Sequence, residues 1–273
     1  MIWKKDALKA SQPYFVLDTE NFKQEIYLQQ GISHFYTFQK TSDKPIHAVP
    51  DACIDLFFQF NEDGFMEGYA CGTTMEYTEL PWLGKGEVFG VRFLPGYQPA
   101  GLHVHLRELI GMRYYLKICM KDYHLFDGLE KEKDFYQRIR IFLEAYTKLE
   151  KKEEKPYGKK ELIHSIKDAV YDSDGTIRIA EMAEKTGYTE RYINKVFIEE
   201  MGFSPKTFCK IIQFQRALEF MNYGAPDKMT DAATFLGYYD QPQFIRNFKE
   251  FAGMTPYRYL QLIQSEKYTS RIG

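Results

Sequence analysis

The chain of 273 residues has no apolar run long enough to cross a bilayer, and its opening MIWKKDALKASQ has no signal-peptide h-region. No membrane span is expected, and a cytoplasmic location is. The four cysteines, Cys53, Cys71, Cys119 and Cys209, form no C-x-x-C pair. That spacing excludes a zinc ribbon and a disulfide framework and leaves reduced, buried thiols. Charge of one sign is scarce too. With 36 Lys+Arg against 38 Asp+Glu the formal net charge is −2, too little for a protein that simply coats nucleic acid. There is no P-loop, no G-x-S-x-G and no H-E-x-x-H, so neither an enzymatic activity nor a cofactor is expected.

What is there suffices for two ordinary domains, and 44% apolar with 27% charged residues is a globular composition. The fold class expected is α+β, divided into residues 1–127, a helix and linker over 128–158, and an all-helical 159–273. In the front part, SHFYTFQK, IDLFFQF and EVFGVRFL are short aromatic and β-branched runs separated by DKP, NEDG, LPWLGKG and LPG. They predict antiparallel strands joined by hairpins. Ile54, Leu56, Phe58 and Phe60 alternate with Cys53, Asp55, Phe57 and Gln59, so both faces are partly apolar. A β-rich barrel or sandwich fits that pattern better than a one-sided sheet.

The period changes over 134–149. Phe135, Ile139, Phe142, Tyr146 and Leu149 form a stripe at alternating spacings of four and three. Such a stripe is either the face of a helix packed on its own β domain or the seam of a homodimer. The following KLEKKEEKPYGKK reads as a linker.

From residue 159 onward the pattern is helical, with 16 Lys+Arg against 15 Asp+Glu, so any charge used there must be placed locally. Residues 229–260 hold a short helix containing Ala232 and Ala233, a turn at Gly237 and Tyr238, and a second helix mixing Phe244 and Phe248 with Gln241, Gln243 and Arg246. This is the grammar of a helix-turn-helix. The unit occurs twice. Ala183, Gly187 and Tyr188 recur at Ala233, Gly237 and Tyr238, and Phe197, Gly202 and Pro205 recur one register step later at Phe248, Gly253 and Pro256. One residue has been added between turn and second helix, and Lys195 falls opposite Arg246. Between the units, Ser204 and Pro205 open a long helix, and nineteen residues give it a length of roughly 28 Å.

Gly237, Tyr238, Asp240, Phe244, Arg246, Phe248, Lys249, Gly253, Thr255, Pro256 and Tyr259 close the chain as a spaced signature. Ala183, Gly187, Tyr192, Phe197, Gly202, Ser204 and Pro205 supply its first copy. Over about 110 C-terminal residues the chain thereby resembles the AraC/XylS transcription regulators. The resemblance implies a double helix-turn-helix binding double-stranded promoter DNA, activation more than repression, RNA polymerase as a partner, and a front domain for a small-molecule effector, dimerisation or both. Ala232 departs from the larger aliphatic usual there, Tyr238 from Phe, and Pro242 removes a polar reader from the second recognition helix. The front segments HAVPDACIDLFFQF and VFGVRFLPG look like an N-terminal domain found in a subset of these regulators, with Ala52 replacing the usual Gly.

Base-reading positions implied by the resemblance are Arg191, Asn194 and Lys195 in the first recognition helix and Gln241, Gln243, Ile245 and Arg246 in the second. Arg and Lys suit guanine edges, Asn and Gln adenine. These readers are expected between buried Tyr192 and Phe197 in one copy and Phe244 and Phe248 in the other. Thr189, Lys206, Asp240 and Lys249 are expected at phosphates or as helix starts. In the front domain, Asp55 and Arg92 are charges inside strands, to be exposed or paired, or else to grip a polar effector with Trp82 and Tyr97 nearby. His103 and His105 with Glu108 are similar to a cupin metal box, but the Glu comes one residue early and LRELIGMRYYL after it reads helical. No metal site is therefore expected. The competing readings are a helical interaction module without DNA binding and an enzyme or metal cupin with a DNA-binding tail.

Overall fold

The computed structural model describes residues 10–61, 64, 66–151, 159–223 and 229–272. Residues 152–158 of the expected linker lie outside them. The front domain begins with α1 (Pro13–Leu17). Strands β1 (Glu20–Gln29), β2 (Ile32–Lys40), β3 (Ile46–Ala48), β4 (Ile54–Phe60), β5 (Met66–Gly72), β6 (Thr78–Leu80) and β7 (Gly86–Phe93) follow. Then come α2 (Leu106–Leu109), β8 (Arg113–Tyr115), α3 (Leu116–Cys119), a 3-10 turn at Tyr123–Leu129, and α4 (Phe135–Glu150). Six strands pair antiparallel in the order β1-β2-β7-β4-β5-β8, and β3 with β6 makes a separate ribbon. With β1 and β8 as its ends, the sheet is not closed as a barrel.

The two apolar faces are satisfied by different covers. Ile54, Leu56, Phe58 and Phe60 join Phe35 and Phe89 in a core under α4 and the 3-10 turn. The opposite face, with Phe57, Tyr36 and Val88, packs with Phe15 of α1 and with Ile46 and Ala48 of the ribbon. Neighbours in sequence such as Phe35 and Tyr36 thus enter different cores, as a period of two requires.

The stripe on α4 belongs to the first of these cores. Phe135, Ile139, Phe142, Tyr146 and Leu149 are all buried in it. Phe142 stacks on Phe126 at 5.1 Å, and Tyr146 Oη accepts from the Ala100 backbone N–H at 3.0 Å. The expectation of a dimer seam is therefore corrected: an open sheet leaves one apolar face bare, and α4 covers it within the chain.

The back domain consists of α5 (Lys159–Asp172), α6 (Ile179–Thr186), α7 (Glu190–Met201), α8 (Pro205–Tyr223), α9 (Met229–Phe235), α10 (Gln241–Ala252), α11 (Pro256–Ser265) and α12 (Tyr268–Arg271). Helices α6–α7 and α9–α10 are the repeated pairs, and α8 joins them. No helix among the described residues is long and apolar enough to cross a membrane.

The two domains share a core. Tyr14, Val16, Val49 and Ala52 of the front domain lie in one cluster with Ile211, Phe214 and Phe248 of the back domain. Front-domain backbone carbonyls then accept hydrogen bonds from the helices. Pro50 O accepts from Gln215 Nε2 at 2.7 Å, Pro95 O from Tyr171 Oη at 2.6 Å and Gly96 O from Lys167 Nζ at 3.0 Å. These carbonyls belong to the PDA and LPG segments, which act as a seat for the helices. Ala52 occupies its turn with φ of +57°, the left-handed region that explains why Gly is usual there.

Candidate nucleic-acid interface

Helices α7 and α10 are built the same way. Thr189 caps α7, its Oγ1 accepting from Tyr192 N at 3.3 Å, and Asp240 caps α10, its Oδ1 accepting from Gln243 N at 2.7 Å. Side-chain acceptors at these positions satisfy N–H groups that the helix leaves unpaired. Both helices end at a left-handed glycine, Gly202 and Gly253. The cap follows Gly187 by two positions in the first unit and Gly237 by three in the second, so the added residue sits in the turn. Tyr239 is placed there and is 94% exposed. The insertion leaves the two helices themselves in register, which puts Arg191 opposite Pro242 and Lys195 opposite Arg246.

Ile193, Val196 and Phe197 of α7 and Phe244 and Phe248 of α10 are buried, while Arg191, Lys195, Arg246 and Lys249 are exposed. Arg191 and Arg246 have no ion pair among the described residues. Lys195 Nζ lies 3.8 Å from Glu199 Oε1, but Lys159 binds that carboxylate at 3.0 Å and holds its pKa below the usual range. At an exposed site this contact leaves Lys195 available. Lys206 is also exposed, in the first turn of α8.

Three expected readers are otherwise engaged or half-buried. Asn194 Nδ2 donates back to Glu190 O at 2.9 Å, and Gln243 Oε1 accepts from Tyr239 N at 2.9 Å, fastening the start of its own helix. Gln241 is half-buried. Asn194 bonds a carbonyl one turn back and Gln243 an N–H just before its helix, so in both the local backbone bond holds the side chain against its own helix. Tyr192 is corrected from a buried to an exposed residue: it stacks on Tyr188 at 5.2 Å, on the face that carries Arg191 and Lys195. The sequence reading missed Tyr192 and Tyr239 as surface groups, and the helical phase of Tyr192 relative to Ile193 and Val196 was the available signal.

The four residues expected at an effector pocket do not converge. Arg92 and Asp55 form a buried two-toothed ion pair, Nε to Oδ1 at 3.0 Å and Nη2 to Oδ2 at 2.7 Å, with Asp51 at 3.5 Å. Burial alone works against the guanidinium charge, but the Asp55 and Asp51 carboxylates hold its pKa well above the ordinary value. Trp82 packs on Phe57 and takes Arg113 over its ring at 4.7 Å. Tyr97 stacks on Phe93 in the core under α4. Only Arg92 of the four lines a large cavity, at the junction with the back domain. His103 and His105 are exposed and lie in the loop before α2, which begins at Leu106, and Glu108 turns back to accept from His105 N at 3.0 Å. Among the described residues no group of His, Cys, Asp and Glu could hold a metal ion.

Residues 182–262 match a family described as a helix-turn-helix domain, and residues 24–114 match a domain of unknown function, DUF6597. No curated protein matches the chain. Among solved structures, a probable AraC family transcriptional regulator from Rhodopseudomonas palustris is 26% identical, covering 37% of this chain and 95% of its own at a TM-score of 0.34. ToxT from Vibrio cholerae is 12% identical, covering 89% of this chain and 98% of its own at 0.44. The DNA-binding domain of AdpA, a global transcriptional factor solved in complex with a target DNA, is 13% identical, covering 39% and 95% at 0.36. The chain thus carries a helix-turn-helix domain over residues 182–262 behind a β-rich domain that matches DUF6597.

Proposed function

We propose that the protein is a sequence-specific DNA-binding regulator of transcription whose helices α7 and α10 enter successive major grooves on one face of a promoter. The observation that carries this is the equivalence of Lys195 and Arg246, two exposed cations at the same position of two separately capped helices. The connecting helix α8 has nineteen residues, hence a length of about 28 Å. Successive groove entries lie about 34 Å apart, and the widths of the helices supply the difference. Arg191 extends the first reader, and Tyr192, Tyr239, Lys206 and Lys249 are placed to donate to phosphates, which sets register without reading sequence.

Activation, contact with RNA polymerase and response to an effector are part of this reading and are supported by the resemblance to AraC/XylS regulators alone. A cytoplasmic location goes with promoter DNA as the binding partner. Any homodimer must use a surface other than the α4 stripe. Selection of bound fragments from genomic DNA tests the proposal. The expected fragments share two half-sites whose centres are about 10 base pairs apart. Fragments with no common sequence, or with one half-site only, contradict it.

A further inference from the structure

Between the front domain and the second helix-turn-helix unit lies a cavity of about 590 Å³. Its size falls within the roughly 300–1,000 Å³ of small-molecule sites. One wall comes from α1, β1 and β2, the other from α8, α9 and the α12 region. Each wall carries a stacked aromatic pair. Phe22 and Tyr36 stack at 6.4 Å and 11° on the sheet, and Phe220 and Phe235 stack at 5.1 Å and 29° on the helices. Phe235 is 65% exposed, so its ring is available to a further partner.

The charges decide what kind of partner. Each wall has one arginine, and each arginine is already flanked by two carboxylates. Arg92 has Asp55 at 2.7 Å and Asp51 at 3.5 Å, and Arg216 has Asp174 at 2.7 Å and Glu219 at 2.8 Å. Neither guanidinium has charge to spare for an anion, and with its carboxylates ionised each cluster carries one net negative charge. At the buried Arg92 an incoming carboxylate or phosphate would have to displace an existing pair and meet the acid left behind, and at the part-exposed Arg216 it would face the surplus carboxylate of that cluster. A flat ring meets aromatic faces on both sides, and a positive charge on it would be favoured by those faces and by the surplus acids.

We propose that this cavity binds a planar aromatic molecule, uncharged or cationic, which touches both walls and so holds the second helix-turn-helix unit against the front domain. Its role as an effector rests on the regulator reading above; the binding itself does not. Occupancy would favour the docked arrangement because the site exists only while the walls are together.

Fluorescence titration of the full chain, without DNA, tests the site with a matched pair of probes: uncharged N-phenylnaphthylamine and its anionic relative anilinonaphthalenesulfonate. Acridine orange serves as the planar cation. Saturable binding of the uncharged probe or the cation is expected, at least about tenfold tighter than the sulfonate. Phe235→Ala, at an exposed position, should weaken that binding, and Gln24→Trp, on edge strand β1, should abolish it by filling the space, with circular dichroism of both variants unchanged. Equal or tighter binding of the sulfonate overturns the proposal. So does the absence of saturable binding by every probe, or binding to both folded variants as tight as to the parent. Because no DNA is present, a failure here is distinct from a failure of promoter binding.

Discussion

At single residues the protein departs from its own local rules where the domains meet. Ala52 holds a left-handed backbone in the turn that seats α8. A Cβ there costs on the order of 1 kcal/mol, so Ala52→Gly should raise the unfolding free energy by about 1 kcal/mol in a denaturant titration. Lys167 reaches Gly96 O, and burial lowers its pKa, with Asp168 opposing the shift. The unfolded chain therefore binds this proton more readily than the folded one. The cost is full at low pH and disappears as pH rises through the folded pKa towards the free value of about 10.4. Lys167→Met removes the group, and its thermal midpoint relative to the parent should fall steadily as pH is raised from about 7 to about 10. A difference that does not change with pH would contradict a depressed lysine. The sequence disclosed that Asp55 and Arg92 sat inside strands and needed partners. It did not disclose that β4 and β7 pair them in register, Asp55 opposite Arg92, because cross-strand register is a tertiary property.

At the scale of elements, periodicity told which face of a helix is buried but not what lies against it. The α4 stripe was legible to the residue, and its partner was not, since a seam and a core face have the same spacing. Phe142→Ala should therefore cost about 3–5 kcal/mol of front-domain stability, measured by denaturant unfolding, and leave the sedimentation of the folded protein unchanged. The repeated helix pair was legible because caps, turns and phenylalanines recur together, although Tyr192 was expected buried and is exposed. Asn194 and Gln243 were not, because whether a polar side chain faces a groove or its own helix end depends on local hydrogen bonds. The Asp240 cap bears on the second reader alone, and Asp240→Ala should lower stability by about 1 kcal/mol, with Asp240→Asn recovering most of it.

At the scale of the whole molecule, the front domain is seated against the ends of both α7 and α10. A Cβ on Gly202 would stand 2.6 Å from Arg107 Cα, and one on Gly253 would stand 2.7 Å from the Tyr77 ring. The ends of α7 and α10 therefore rest on front-domain elements. The PDA and LPG segments, recognisable in the sequence as motifs, gain their meaning only with the helices in place. A molecule that favours this docked arrangement shifts DNA affinity by as much as its affinity differs between docked and undocked forms. The account rests most heavily on two equivalent readers working at once. The direct test is the dissociation constant for a selected promoter site, at fixed salt, of the parent, Lys195→Ala, Arg246→Ala and the double variant. Each single change is expected to weaken binding by about 1–3 kcal/mol, roughly 5- to 150-fold, and the two to add, because they lie on separate helices. Unchanged affinity in either single variant, or a double variant no weaker than the singles, would contradict it.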